Sequence, residues 1–152
     1  MKTTPKTINY KGYSIPTGKT VNDIAERRKI ITDFYKKWFG ENQEKKVLNR
    51  HLKSFIFVNH LSIAETRFWA GFSYQSTLTV LNLTYVLQNA VRTSKRKDEK
   101  PKTDNKNQSK FDRVITMETI VPEIRPYVNI AKLTVGVYKI SQNKIQYCLT
   151  AK

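Results

Sequence analysis

Apolar and polar residues alternate almost one by one through Tyr127–Thr150 (YVNIAKLTVGVYKISQNKIQYCLT). That period predicts two antiparallel strands around a short Ser141–Gln142–Asn143 turn. Leu133, Val135 and Val137 share one face and Lys132, Thr134 and Tyr138 the other, because successive side chains point to opposite sides of a strand. After the turn, Ile145, Tyr147 and Leu149 alternate with Lys144, Gln146, Cys148 and Thr150. One face is built for a core; the other is a polar platform.

Upstream the spacing changes. Thr20–Asp23 opens a helix to about Gly40, with Ile24, Ile31, Phe34, Tyr35 and Trp38 near helical spacing and Arg27, Arg28, Lys29, Lys36 and Lys37 on the opposite side. This helix either docks on the domain or belongs to a neighbouring module. Residues 45–59 (KKVLNRHLKSFIFVN) read as one or two short strands centred on Phe55–Val58. Ser62–Ile63–Ala64–Glu65 fits the S-x-x-E capping box, in which hydroxyl and carboxylate satisfy the free donors of a helix start, so a helix runs from there to about Phe72. Ser76 is positioned to cap a second helix through Leu81, and Leu83–Val91 gives a third, with Leu83, Val86, Leu87 and Ala90 at core spacing. A further strand is expected at Phe111–Ile120.

The expected fold class is α+β: short helices packed on one face of a roughly four-stranded antiparallel sheet, with an N-terminal helix. Residues 1–20, broken by Pro5, Gly12, Pro16 and Gly18, read as an extended arm, 21–42 as the N-terminal helix, and 43–152 as the α+β domain. Within that domain, 94–110 (SKRKDEKPKTDNKNQSK) is a basic polar loop.

Charge then narrows the function. The chain carries 28 Lys and Arg against 12 Asp and Glu, a net charge of +16. Clustered cations release counterions from a phosphate backbone, so nucleic acid, RNA first, is the expected partner, ahead of charge serving solubility alone. Cys148 is the only cysteine, which excludes an intramolecular disulfide and reads as a packed thiol. No apolar run has the length of a membrane span or the form of a signal peptide, so the expectation is a soluble cytoplasmic protein without a membrane partner. The phosphate-cradling glycine loop, H-E-x-x-H and G-x-S-x-G are all absent, and no carboxylate cluster suits magnesium; neither metal nor cofactor is expected.

What is present suits phosphate chemistry without metal, which needs a base for the 2′-hydroxyl, an acid for the leaving oxygen and cations for the phosphorane. His60 precedes the predicted Ser62 cap, where a helix N-terminus favours an anion; an ordinary histidine is the plain alternative. Glu65 is a general base or simply the capping carboxylate. Arg67 suits phosphate, as would any exposed helical arginine. Ser76 and Thr77 read as helix caps first and phosphate-facing hydroxyls second. Lys132, isolated in the middle of a strand, faces either solvent or a site, with Tyr138 as a stacking surface and Gln146 beside it. Lys95, Arg96 and Lys97 add cations from the loop.

The order of parts resembles a known family. NHLSIAETRFWAGFSYQSTLTVLNLTYVLQNAVRT, a polar insert and the C-terminal ribbon are similar to the barnase–EndoU–colicin–RelE-like (BECR) nuclease superfamily, in the versions found in phage and mobile-element polyvalent proteins. The carrying elements are S-I-x-E-T at Ser62–Thr66, Ser76–Thr77 before an apolar helix, Asn89–Ala90, and K-L-T-V at Lys132–Val135; together they span about 45–150. The resemblance implies metal-independent RNA cleavage on helices packed against a four-stranded sheet. It carries over His60, Ser62, Glu65, Arg67, Ser76, Thr77, Asn89 and Lys132. The chain departs from the two-histidine-plus-lysine pattern of the EndoU branch, since His51 and His60 are not embedded in its motifs. Three functions follow as expectations: a metal-independent ribonuclease, acting as a toxin or RNA-processing activity with a cognate inhibitor protein as partner; a non-catalytic nucleic-acid-binding module on the same fold; and a protein-interaction (inhibitor) module.

Overall fold

In the computed structural model, which describes residues 7–93, 111–138 and 146–151, the chain runs β1 (Thr7–Tyr10), β2 (Tyr13–Pro16), α1 (Val21–Glu41), β3 (Lys46–Asn49), β4 (Ser54–Phe57), α2 (His60–Ala70), α3 (Tyr74–Val80), α4 (Leu83–Asn89), β5 (Val91–Arg92), β6 (Phe111–Thr119), a 3-10 turn at Pro122–Ile124, β7 (Ala131–Tyr138) and β8 (Gln146–Ala151). The class is α+β, with antiparallel pairing in the hairpins β1–β2 and β3–β4 and in a sheet of order β5-β6-β7-β8. The alternation read in the C-terminal ribbon places Leu133, Val135, Tyr147 and Leu149 correctly; the Val137 side chain, Ile145 and the Ser141–Asn143 turn lie outside what is described. Met117 pairs with Leu133 and Leu133 with Leu149, Ile115 pairs with Val135 and Val135 with Tyr147, and all six are buried.

Two parts differ from expectation. The extended arm is a hairpin: Lys11 and Gly12 both adopt positive φ (51° and 82°), the conformation whose twist suits a two-residue β-turn. Its tip is fastened, because the Lys11 ammonium donates to the Leu81 carbonyl (3.1 Å) and to Asn82 Oδ1 (3.0 Å). Farther along, the Tyr13 hydroxyl donates to Asp33 on α1 (2.7 Å). That bond, with help from Lys37, holds the Asp33 carboxyl below its usual range. Second, the strands of 45–59 pair with each other, and the short β5 takes the outer place beside β6. Helix α1 ends at Glu41, close to the end expected at about Gly40.

Helix α1 starts at the Thr20–Asp23 capping box and docks on the body through Ile30, Ile31, Tyr35 and Trp38. The Tyr35 and Tyr147 hydroxyls bond at 2.6 Å, and Trp38 Nε1 donates to Thr84 at 3.0 Å. Arg27 is not on a solvated face. It precedes Ile30 and Ile31 by three and four residues, which puts it on their side of the helix, and it is 0% exposed. Its guanidinium donates to the carbonyls of Gly71 (2.8 Å), Pro16 (2.8 Å), Gly18 (2.7 Å) and Phe72 (3.2 Å). Burial lowers its pKa, yet an arginine stays charged, so these carbonyl dipoles take the place of a carboxylate.

The S-x-x-E capping box at Ser62 does not form. Helix α2 begins three residues earlier than that box would start it, capped by Asn59, whose Oδ1 accepts from the Ser62 amide at 3.0 Å. Ser73, not Ser76, caps α3 (3.1 Å). The freed hydroxyls turn inward and cover the outer edge of the sheet: the Tyr147 amide donates to Ser62 Oγ (2.9 Å), the Leu149 amide to Thr66 Oγ1 (3.2 Å) and the Ala151 amide to Ser76 Oγ (2.9 Å). Four helical residues rise about 6 Å, and two strand residues span about 6.8 Å. A Ser-x-x-x-Thr spacing therefore matches alternate amides of an edge strand when helix and strand run side by side.

Candidate nucleic-acid interface

The residues singled out from the sequence fall into three groups. His60 is exposed in the first turn of α2 and Glu65 is half-buried farther along. Five residues separate them, so their side chains leave the helix about 140° apart and do not converge on one atom. Arg67 is half-buried, with Nη1 donating to Thr32 at 3.3 Å. Ser76 and Thr77 are buried; the Thr77 hydroxyl lies between the Ala70 (3.1 Å) and Ser73 (3.0 Å) carbonyls. Their expected phosphate-facing role is corrected: both hydroxyls are engaged inside the protein. Asn89 donates to the Tyr85 carbonyl within its own helix (2.9 Å).

Lys132 is exposed on the outward side of β7, directly opposite Glu118 on β6 and Thr150 on β8. Val114, on the same side of the sheet, is buried, so this face is partly covered and its one described lysine faces a carboxylate. Tyr138 and Gln146 lie in β7 and β8, but their side chains lie outside what is described, as do Lys95, Arg96, Lys97 and the whole 94–110 loop. No group of three or more metal-ligating side chains occurs among the described residues.

A cationic surface that the sequence reading passed over lies on the β3–β4 ribbon. Leu48 and Phe55 are direct cross-strand partners and both are exposed, while Val47 and Ile56 on the other face are buried. Buried Asn49 fixes the ribbon to the end of α4, donating to the carbonyls of Leu87 (2.8 Å) and Ala90 (3.0 Å) and accepting from the Leu52 amide (2.7 Å). The Lys46 ammonium sits 4.3 Å from the Phe55 ring centroid and 3.9 Å from Glu44. Beyond them Arg50, His51 and Lys53 project from the connection, exposed and, among the described residues, without ion pairs. The signal was legible as R-H-L-K between two apolar runs.

Lys45, just before β3, and Lys53, in the connection to β4, have φ of 53° and 55°. The left-handed conformation costs a side chain about 1–2 kcal/mol, while glycine adds about 0.5–1 kcal/mol of unfolded-state freedom. Lys53→Gly is therefore expected to stabilise the fold by about 0.5 kcal/mol. Urea denaturation checks the effect; a destabilised variant would show that the lysine side chain makes contacts worth more than its backbone strain.

Two clefts flank the N-terminal hairpin. One, of about 260 Å³, is lined by Tyr10, Tyr74, Leu78, Ile124 and Tyr127 among others; the other, of about 540 Å³, by Lys11, Trp38, Asn82 and Glu123 among others. None of His60, Glu65 or Lys132 lines either cleft, and Lys11, Tyr10, Asn82 and Glu123 are bonded to one another. No family model, curated protein or solved structure matches the chain. No helix among the described residues is long and apolar enough to cross a membrane.

Proposed function

We propose that the protein is an RNA-binding module that holds the phosphate backbone on unpaired cations interleaved with exposed rings. The observation that carries this reading is the ribbon, where Arg50 and Lys53 are exposed on the connection and, among the described residues, form no ion pair, with Lys46 over Phe55 on the strands, in a chain of net charge +16. Cations already paired to carboxylates contribute little to a polyanion, whereas unpaired ones displace condensed counterions. The motif order that resembles the BECR superfamily supports RNA as the partner. Cleavage asks for more than binding. An acid and a base must reach one phosphate together, and His60 and Glu65 diverge while Ser76 and Thr77 face inward. Binding without catalysis is the reading the geometry favours.

Titration of labelled single-stranded RNA at rising salt tests it. The logarithm of affinity is expected to fall linearly with that of salt, with a slope of about −0.7 per phosphate neutralised, and the RNA is expected to survive long incubation in EDTA. Cleavage persisting in EDTA and lost in Lys132→Ala would make the protein a metal-independent ribonuclease instead, with an inhibitor protein as its natural partner. Affinity indifferent to salt would sink the binding reading.

A further inference from the structure

The outward face of α2 is apolar in a place where nothing in the fold needs it to be. Ser62, Thr66 and Ala70 form the buried stripe against β8, while Leu61 and Phe68, on the opposite side, are exposed, with Trp69 beside them and Phe72 just past the helix end. Contiguous exposed apolar surface of this kind marks an interaction site, whereas single exposed residues would mean nothing.

The three rings are locked together. Phe68 meets Trp69 at 5.1 Å and 88° and Phe72 at 5.3 Å and 87°, while Trp69 and Phe72 lie 6.1 Å apart. Arg28, expected on a solvated side of α1, instead reaches across. Its guanidinium lies 4.8 Å from the Phe68 centroid and 4.9 Å from that of Phe72, and its Nη2 donates to the Phe68 carbonyl at 3.0 Å. Gly71 leaves it room, since a Cβ there would lie 2.5 Å from Arg28 Cγ. The cation thus occupies Phe68 and Phe72. Among the described residues no cation lies over Trp69, which is 53% exposed, a ring braced from behind with open surface outside.

We propose that Trp69 is a stacking site for an unpaired base of single-stranded RNA, with Arg28, whose guanidinium lies over the neighbouring Phe68 and Phe72 rings, serving the adjoining phosphate. This rests on the RNA-binding reading above. Charge selects the occupant: a second copy of a chain at +16 is repelled, and a polyanion is drawn. Glu65, on the same helix, is a carboxylate the strand must skirt. Only an unpaired strand offers base faces to a protein ring, and stacking of this kind is tolerant of sequence.

The protein supplies its own probe. Of its two tryptophans, Trp38 is 4% exposed and bonded to Thr84, so emission that responds to ligand at the surface comes from Trp69. A uridine oligomer of about 12 nucleotides and an RNA duplex of equal length are titrated at low salt. Tryptophan emission and the anisotropy of a labelled strand are read in parallel. The oligomer is expected to quench emission and the duplex is not. Trp69→Ala is expected to weaken oligomer binding about tenfold and leave duplex affinity unchanged, while Trp69→Phe, which keeps a ring, loses the quenching but most of the affinity survives. An oligomer that binds wild type and Trp69→Ala alike, without quenching, overturns the stacking site and leaves the binding reading standing; the patch would then serve a protein partner. No binding of either RNA overturns both.

Discussion

Replacing Arg27 with methionine is expected to cost about 3–5 kcal/mol of folding stability. One side chain satisfies four carbonyls drawn from three places: the end of the N-terminal hairpin at Pro16, the loop at Gly18, and the turn after α2 at Gly71 and Phe72. Methionine fills much of the volume but donates nothing, so the Gly71 and Pro16 carbonyls are left buried without partners. For a protein of this length the melting temperature should fall by about 10 °C or more. Arg27→Lys is expected to recover little, because a compact ammonium cannot span acceptors that a planar fork reaches in different directions. Thermal and urea denaturation decide the matter; a loss below about 1 kcal/mol would mean that water replaces the guanidinium.

The second large effect concerns the edge of the main sheet. Thr66→Val keeps the shape of the side chain and removes only the hydroxyl that receives the Leu149 amide, and Ser62→Ala does the same for Tyr147. Each is expected to cost about 1–3 kcal/mol, since each leaves a buried donor unmet. The double variant should lose close to the sum, with some coupling because both hydroxyls ride on one helix. An opened edge strand is also a template for another chain, so the double variant is expected to self-associate where wild type does not. Sedimentation at matched concentration, beside urea midpoints, tests both parts. Wild-type stability in Thr66→Val would show that the hydroxyl is not needed to satisfy that amide.

The sequence made the sheet legible because its side chains obey a strict period of two: Leu133, Val135, Tyr147 and Leu149 are inside, as their alternation required. The helices were legible in number and rough position, since Leu83, Val86 and Leu87 recur at helical spacing and are buried. Ser62 and Ser76 misled for a physical reason. A serine near a helix start satisfies local amides or reaches across to another element, and local pattern does not say which; Asn59 and Ser73 were the nearer caps. Arg27 misled because charge is ordinarily read as exposure, and only the chain's return at Gly71 supplies the carbonyls that let it be buried. The stacking candidates were hidden by the opposite habit. Phe68, Trp69 and Phe72 look like core, but Phe68 stands opposite the Ser62–Thr66–Ala70 stripe, Trp69 at its border in the last turn and Phe72 beyond the helix end, and all three are exposed. Of the chemistry expected from His60, Glu65 and Lys132, the side chains are where their elements put them, but what they were meant to do together depends on distances no linear pattern encodes.

The hydroxyl clamp on β8 has a consequence for how the molecule opens. Amides on the outer edge of a terminal strand ordinarily face water and exchange their hydrogens quickly; those of Tyr147, Leu149 and Ala151 are bonded to α2 and α3 instead. Their protection lasts only while those helices stay docked. Three backbone signals on one strand thereby become a gauge of the helical layer, and an RNA that grips the outer face of α2 would slow their exchange without touching the strand itself.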